Sequence, residues 1–185
     1  ELDEWLGQIK PYKATLIYAT DFMGNPSPMF GHTLLRLDPK DQKQLNLVSY
    51  AVNYAATVAN SDSFSFAWKG LTGQYPGEYS LMPYYRKVKE YGDLESRDLW
   101  EYELALTPEE TKTMVEHIWE LKHVQFPYYF INDNCAYRLL GLIDLVRPEV
   151  NLQKQFKTAA IPVETIKAVD ENHLIAESVY RPALE

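Results

Sequence analysis

The chain has 185 residues, 46% of them apolar and 24% charged, which suits one domain with a sizeable core and excludes a disordered chain. Its 26 acidic against 18 basic residues give a net charge of −8, and no Lys/Arg-rich run offers the footprint of a nucleic-acid binder. The single cysteine excludes an internal disulfide and a Cys-based zinc site, and no apolar run reaches the ~18 residues of a membrane span.

The chain opens at Glu1 without Met and carries no secretory signal, so a piece trimmed from a longer protein is expected. Residues 1–10 read as the tail of a helix. ATLIYAT (Ala14–Thr20) is an apolar run of strand length. DFMGNPSPMFG (Asp21–Gly31), with two Pro and two Gly, reads as loop. HTLLRL (His32–Leu37) and LNLVSYAVNYAA (Leu45–Ala56) flank the polar DPKDQKQ turn and predict an antiparallel hairpin. Residues 57–79 contain KGLTGQYPGEY and read as one long loop, a feature that in small domains is usually functional. SLMPYYRKV follows as a strand, with Pro83 placing it at a sheet edge. DLWEYELAL (Asp98–Leu106) alternates and reads as a strand. Thr107-Pro108-Glu109-Glu110 is a capping box with Pro at N1, opening a helix to about Lys122 with Met114, Ile118 and Leu121 on one face. A second helix runs from about Asn134 to Val146 and stops before Pro148. A short helix (Val163–Asp170) and a strand (Leu174–Tyr180) close a chain that predicts one α+β domain over residues 1–185, with an antiparallel sheet packed against helices.

The chemistry-bearing residues centre on Cys135. A lone cysteine is ordinarily a buried, inert small hydrophobe. Here Asn132-Asp133-Asn134, all good N-cap residues, put Cys135 in the first turn of a helix, where free N–H groups and the helix dipole are expected to lower a thiol pKa. The apolar residues behind it, Leu139, Leu140, Leu142, Ile143 and Val146, would hold that helix in place. A thiol nucleophile needs a base. His117 and His123 belong to a solvent-accessible helix end and His173 to a polar turn. His32 opens an apolar strand directly after a Gly-containing loop, and is the candidate base. A hairpin centred near residue 42 sets Asn53 about opposite His32, as the group that orients the imidazole; Ser49 and Tyr50 are the fallbacks. No metal-binding array stands outside the 116–123 helix end, so neither a metal nor a cofactor is expected. The 14 Tyr and 4 Trp suit a core with polar handles or a surface that meets ligand or lipid. Tyr54, beside Asn53, and Lys69 and Tyr75, in the Gly/Tyr segment, are the candidate substrate contacts.

A His-bearing strand, a polar strand and then Asn134-Cys135 at a helix start resemble the circularly permuted branch of the papain-like NlpC superfamily, which includes lecithin retinol acyltransferase. That branch usually carries His as its third residue, on the next strand; this chain has none there, and Asn53 is the substitute. FGHTLLRL, NYAA, KGLTGQYPG, RDLWEYEL, HIWEL and NDNCAYRLL, in that order, resemble the Lnb-type N-terminal periplasmic domain of bacterial envelope proteins. The resemblance implies a periplasmic or envelope location, membrane association in the full-length protein, and cysteine-dependent transfer of a phospholipid acyl chain to a lipoprotein N-terminal amine. A cysteine peptidase or amidase acting on cell-wall peptide would use the same Cys135 and His32, and a non-catalytic binding module would keep the fold alone.

Overall fold

The computed structural model describes residues 1–20, 32–40, 49–56, 63–86, 97–129 and 134–183. In chain order these form α1 (Leu2–Ile9), β1 (Lys13–Ala19), β2 (His32–Asp38), β3 (Tyr50–Ala56), α2 (Ser63–Thr72), β4 (Tyr75–Pro83), β5 (Leu99–Leu104), α3 (Pro108–Glu120), β6 (Phe126–Tyr128), α4 (Cys135–Val146), a 3-10 turn at Gln153–Gln155, α5 (Pro162–Glu171) and β7 (Ile175–Arg181). The strands form one antiparallel seven-stranded sheet in the order β6-β4-β3-β2-β1-β5-β7. The chain is α+β, as its segregated strand and helix patterns predict.

Strand alternation sorts the two faces of this sheet. Leu16, Leu35, Leu37 and Val52 point to one side, where Leu139, Leu140 and Ile143 of α4 and Met114, Val115 and Ile118 of α3 complete the main core. The opposite face carries a smaller apolar group, Ile17, Leu34, Ala51 and Tyr84. Beside it lies a buried charge cluster. Arg36 donates to Asp38 at 2.7 Å and to Glu101 at 2.8 Å, the Thr15 and Ser49 hydroxyls donate to Asp38 at 3.0 and 2.8 Å, and Arg181 donates to Glu101 at 3.0 Å. Burial pushes the Glu101 carboxyl up, but the hydrogen bond from Arg181 and the charges of Arg36 and Arg181 outweigh it and hold the group below its ordinary value. Paired this completely, the cluster locks β1, β2, β5 and β7 together without leaving a bare charge in the interior.

The helix boundaries follow their caps. The Thr107 hydroxyl accepts from the Glu110 N–H at 3.1 Å, and the Glu110 carboxylate accepts from the Thr107 N–H at 3.0 Å. Asn134 caps α4, its side-chain oxygen accepting from the Tyr137 N–H at 3.3 Å. The Asp144 carboxylate then accepts from Leu152 and Gln153 N–H groups and turns the chain beyond Pro148.

Three expectations are corrected. Residues 57–79 are not one loop: within them α2 occupies 63–72 and β4 begins at Tyr75. The alternation and aromatics of QYPGEYSLM outweigh its Gly and Pro because β3 and β6 pair with it from both sides. For the same reason β4 begins at Tyr75 rather than at Ser80, with its first residues inside the sheet beside β6; at Pro83, as expected, one flank of β4 has no strand partner among the described residues, since β6 pairs only with Tyr75–Gly77. Finally, residues 2–9 are a whole two-turn helix, closed by Lys10 in the left-handed region (φ 49°). The expected loop at 21–31, most of the turn at 38–44 and the start of the strand at 45–48 lie outside the described residues.

The Glu110–Arg147 pair ties α3 to the end of α4, Arg147 Nη2 donating to Glu110 at 2.9 Å. The hydrogen bond from Arg147, more than the opposing effect of burial, pulls the Glu110 carboxyl down to about 2. A depressed carboxylate contributes stability that is complete above its unfolded pKa of ~4.3 and is lost as pH falls through its folded value. Glu110→Gln is therefore expected to cost about 1 kcal/mol at neutral pH. Urea midpoints of the two proteins should converge between about pH 5 and about pH 2; a gap that stays constant over that range would contradict this account.

Candidate active site

The β2–β3 ladder pairs Leu37 with Tyr50, Arg36 with Ala51 and Leu35 with Val52, and then stops. Thr33, two residues beyond, is not paired with β3. The first turn of α4 fills that place. Its N-cap Asn134 is buried and donates from its side-chain amide to the Ala160 carbonyl at 3.0 Å, which fixes where the helix begins. Cys135, only 7% exposed, then lays its sulfur on the backbone N–H of Thr33, with the Ala136 N–H and the Tyr128 hydroxyl as further donors.

Those donors favour the thiolate, yet burial outweighs them and pushes the Cys135 thiol up. This corrects the expectation of a depressed pKa at a helix N-terminus. The helix ends as expected, but the apolar stripe that anchors it also takes the thiol out of water. At rest Cys135 is a protonated thiol with thiolate-stabilising donors already around it.

Tyrosines wall the thiol. Tyr128 on β6 lies opposite Tyr75 on β4, and Tyr54 on β3 lies opposite Tyr79 on β4. The Tyr54 and Tyr128 rings stack with centroids 5.6 Å apart, and Tyr54 meets Tyr79 at 4.9 Å. The guanidinium of Arg138, one turn into α4, lies 5.7 Å from the Tyr54 ring centroid, and the Tyr79 hydroxyl donates to the Arg138 carbonyl at 2.9 Å. Gly77 makes room for this group: a Cβ there would stand 2.5 Å from the Tyr54 hydroxyl and 2.9 Å from the Tyr128 ring. Burial, followed by the neighbouring Cys135, pushes the Tyr128 phenol up, so it remains a hydrogen-bond donor to sulfur across the neutral range. Sequence reasoning missed Tyr128. It belongs to a three-residue strand, FPY, too short to register as a strand.

The structure brings Tyr54 and Tyr75 onto the same face as Cys135, both buried. His32 is half-buried and is the residue next to Thr33, whose N–H holds the sulfur. Alternation sends His32 and Asn53 to the sheet face opposite Thr33 and Leu35, and so opposite the face on which Cys135 lies. Continuing the observed register sets Ala55, not Asn53, directly opposite His32, and Asn53 two pairs further in, across from Leu34. Asn53 is buried at 3%, and among the described residues its side-chain oxygen accepts no hydrogen bond; neither does the buried Thr33 hydroxyl. Of the fallbacks, Ser49 is committed to Asp38 and Tyr50 faces the main core. Lys69 sits half-buried on α2. His117 pairs with Glu120 at 3.4 Å on the exposed side of α3, and His123 and His173 hold left-handed turn positions (φ 71° and 58°). A cleft lined by Ile9, Tyr12, Ser49, Tyr50, Pro83 and Lys112 is at the other end of β2 and β3 and is lined by neither Cys135, His32 nor Asn53. Among the described residues no cluster of His, Cys, Asp and Glu could hold a metal ion.

The sequence matches the family described as the Lnb N-terminal periplasmic domain across residues 1–172. The chain belongs to this family. The Lnb-type assignment places it in the periplasm. Among the described residues no helix is long and apolar enough to cross a membrane. No curated protein sequence matches this Lnb-type domain. A solved structure similar to it is that of the type VI secretion system effector TseH, at 12% identity and a TM-score of 0.56, covering 94% of this chain and 93% of that one. At that identity the likeness is one of fold.

Alkylation of the single thiol reads this geometry directly. Wild-type Cys135 is expected to react with iodoacetamide slowly at pH 7, with an inflection above the ordinary free-cysteine value. Tyr128→Phe removes a donor to sulfur and should move that inflection higher still; an inflection below about 7 in the wild type would contradict the buried, protonated thiol. Gly77→Ala should lower stability by about 1–3 kcal/mol and speed alkylation, because the Tyr54–Tyr128 stack must part. A thermal melt and an alkylation rate unchanged from wild type would refute that reading of the glycine.

Proposed function

We propose that this periplasmic domain is a cysteine-dependent acyltransferase, with Cys135 as nucleophile and His32 as base, acting on a phospholipid acyl ester. One observation carries the reading: the only thiol of the chain sits at a helix N-terminus, on the backbone N–H of the residue that follows a histidine. The order of a His strand, a polar strand and a Cys helix supports a permuted papain-like arrangement of the NlpC type, and the Lnb-type family supports a lipid donor and a lipoprotein amine as acceptor.

The chemistry follows from the groups present. His32 takes the thiol proton as sulfur attacks the ester carbonyl, which removes the barrier that burial places on a free thiolate. The Cys135 N–H and the Tyr128 hydroxyl meet the developing oxyanion, since first-turn N–H groups lack intrahelical partners. The tetrahedral intermediate expels the lysophospholipid alkoxide, which takes the proton back from His32, and the acyl chain remains on sulfur as a thioester. His32 then deprotonates the incoming amine, whose attack forms the amide and returns the thiol. Asn53 orients His32, and its unsatisfied side-chain oxygen, like the Thr33 hydroxyl, is a buried acceptor available when the site rearranges around substrate. Tyr54 and Tyr75 wall the acyl group, and Lys69 meets the phosphate.

The buried, protonated state of the thiol is the one observation that favours a binding module instead. Mass spectrometry after incubation with a phospholipid separates the readings: acyltransfer leaves a hydroxylamine-labile acyl group on Cys135. Cleavage of peptidoglycan fragments without such an adduct would favour a peptidase or amidase. No adduct and no cleavage would favour the binding module. Cys135→Ala is expected to abolish turnover, His32→Ala to lower it at least ~100-fold, and Asn53→Ala to cost less. Full activity in Cys135→Ala would end the proposal.

A further inference from the structure

Helix α2 presents Phe64, Trp68 and Leu71 to solvent at 79%, 57% and 56% exposure. At 3.6 residues per turn these positions lie within about 60° of one another, so they form a single apolar stripe along the helix. Isolated exposed apolar residues need no explanation, but three large ones aligned on one helix face mark a contact surface. We propose that this stripe seats the domain on a lipid bilayer, with Phe64, Trp68 and Leu71 entering the interface beneath the headgroups.

The charge pattern favours a lipid surface over a second protein. The chain carries 26 carboxylates, yet residues 63–77, SFSFAWKGLTGQYPG, contain none and hold one cation, Lys69, within the helix. In an otherwise acidic chain, the helix that would meet phosphate headgroups thus carries no carboxylate of its own. A tryptophan between two aliphatic or aromatic neighbours has the composition of an interfacial helix, with an apolar body and a ring N–H for the headgroup level. The end of the helix also lies near the thiol's surroundings. Gly73, just past α2, is in the left-handed region (φ 69°), and a Cβ there would stand 2.3 Å from the Tyr129 ring, adjacent to the Tyr128 that touches Cys135. A shallow groove lined by Gly73, Tyr75, Phe126 and Pro127 lies at the helix end, and Tyr75 in it faces Tyr128 across the β4–β6 pair. Docking by α2 would bring that groove to the membrane. This use of the surface rests on the proposed lipid donor; the docking itself does not need it.

Co-sedimentation with phosphatidylethanolamine vesicles containing a minority of phosphatidylglycerol tests the surface. Phe64→Ser and Leu71→Ser should each weaken binding roughly tenfold, with circular dichroism and the Cys135 alkylation rate unchanged from wild type. Lipids brominated on the acyl chain should quench part of the wild-type tryptophan emission, and Trp68→Phe should remove that part. Wild-type protein that stays in the supernatant, or a Phe64→Ser/Leu71→Ser variant that binds equally well, would overturn the inference. So would loss of a vesicle-free oligomer in that double variant, which would assign the stripe to a second copy of the chain. The two proposals fail separately: vesicle binding without any acyl adduct sinks the acyltransferase, and an adduct from dispersed short-chain phospholipid without vesicle binding sinks the docking surface.

Discussion

Where the β2–β3 ladder stops at Leu35 and Val52, the Thr33 N–H is left without a carbonyl to bind, and the Cys135 sulfur takes that position. A buried N–H without an acceptor costs about 1–3 kcal/mol, so helix α4 and the open end of the hairpin satisfy each other. The arrangement sets which residues can meet the thiol. The Thr33 face brings Tyr54, Tyr75 and Tyr128 to it, while His32 and Asn53 lie on the opposite face. It also explains why the main core lies under α4: Leu139, Leu140 and Ile143 must reach Leu35, Leu37 and Val52 for the sulfur to reach Thr33.

The two faces of the sheet are held by different physics. The helix side is dispersion and apolar burial, insensitive to salt and tolerant of small shifts. The other side is a directional cluster around Arg36, in which Asp38 accepts from Thr15, Arg36 and Ser49 at once. Directional bonds fix register, and register decides which face each residue of β2 occupies. A slip of one residue in β2 would exchange His32 with Thr33 and Arg36 with Leu37, destroying both faces together.

Much of this was legible in the residues. The Thr107 capping box, the Asn134 cap, the β2–β3 hairpin and the position of Cys135 all rest on local chemistry, and local chemistry is what a sequence displays. Register was legible only in part, because the turn between β2 and β3 sets it, and a centre displaced by a residue or two moves the partner of His32 from Asn53 to Ala55. Helix α2 and the start of β4 were hidden because Gly70, Gly73 and Gly77 read as loop punctuation. Gly77 instead makes space for Tyr54, a contact between strands distant in sequence. The thiol pKa reversed for a related reason: helix-end chemistry is local, whereas burial depends on how the whole helix packs. Tyr128 escaped notice because its role comes from β4 across the sheet, not from its own neighbours in the chain.

The periplasm is an oxidising compartment, in which exposed thiolates are converted to disulfides or to sulfenic and higher acids. Those reactions need an accessible, ionised sulfur, and Cys135 at rest is neither. With no second cysteine in the chain there is also no internal partner for a disulfide. The burial that holds the thiol protonated therefore also preserves the sulfur chemically. Under the proposed mechanism, shelter from oxidants and the need for a base are two results of one desolvated position, and a mutation that opened the thiol to water would surrender both.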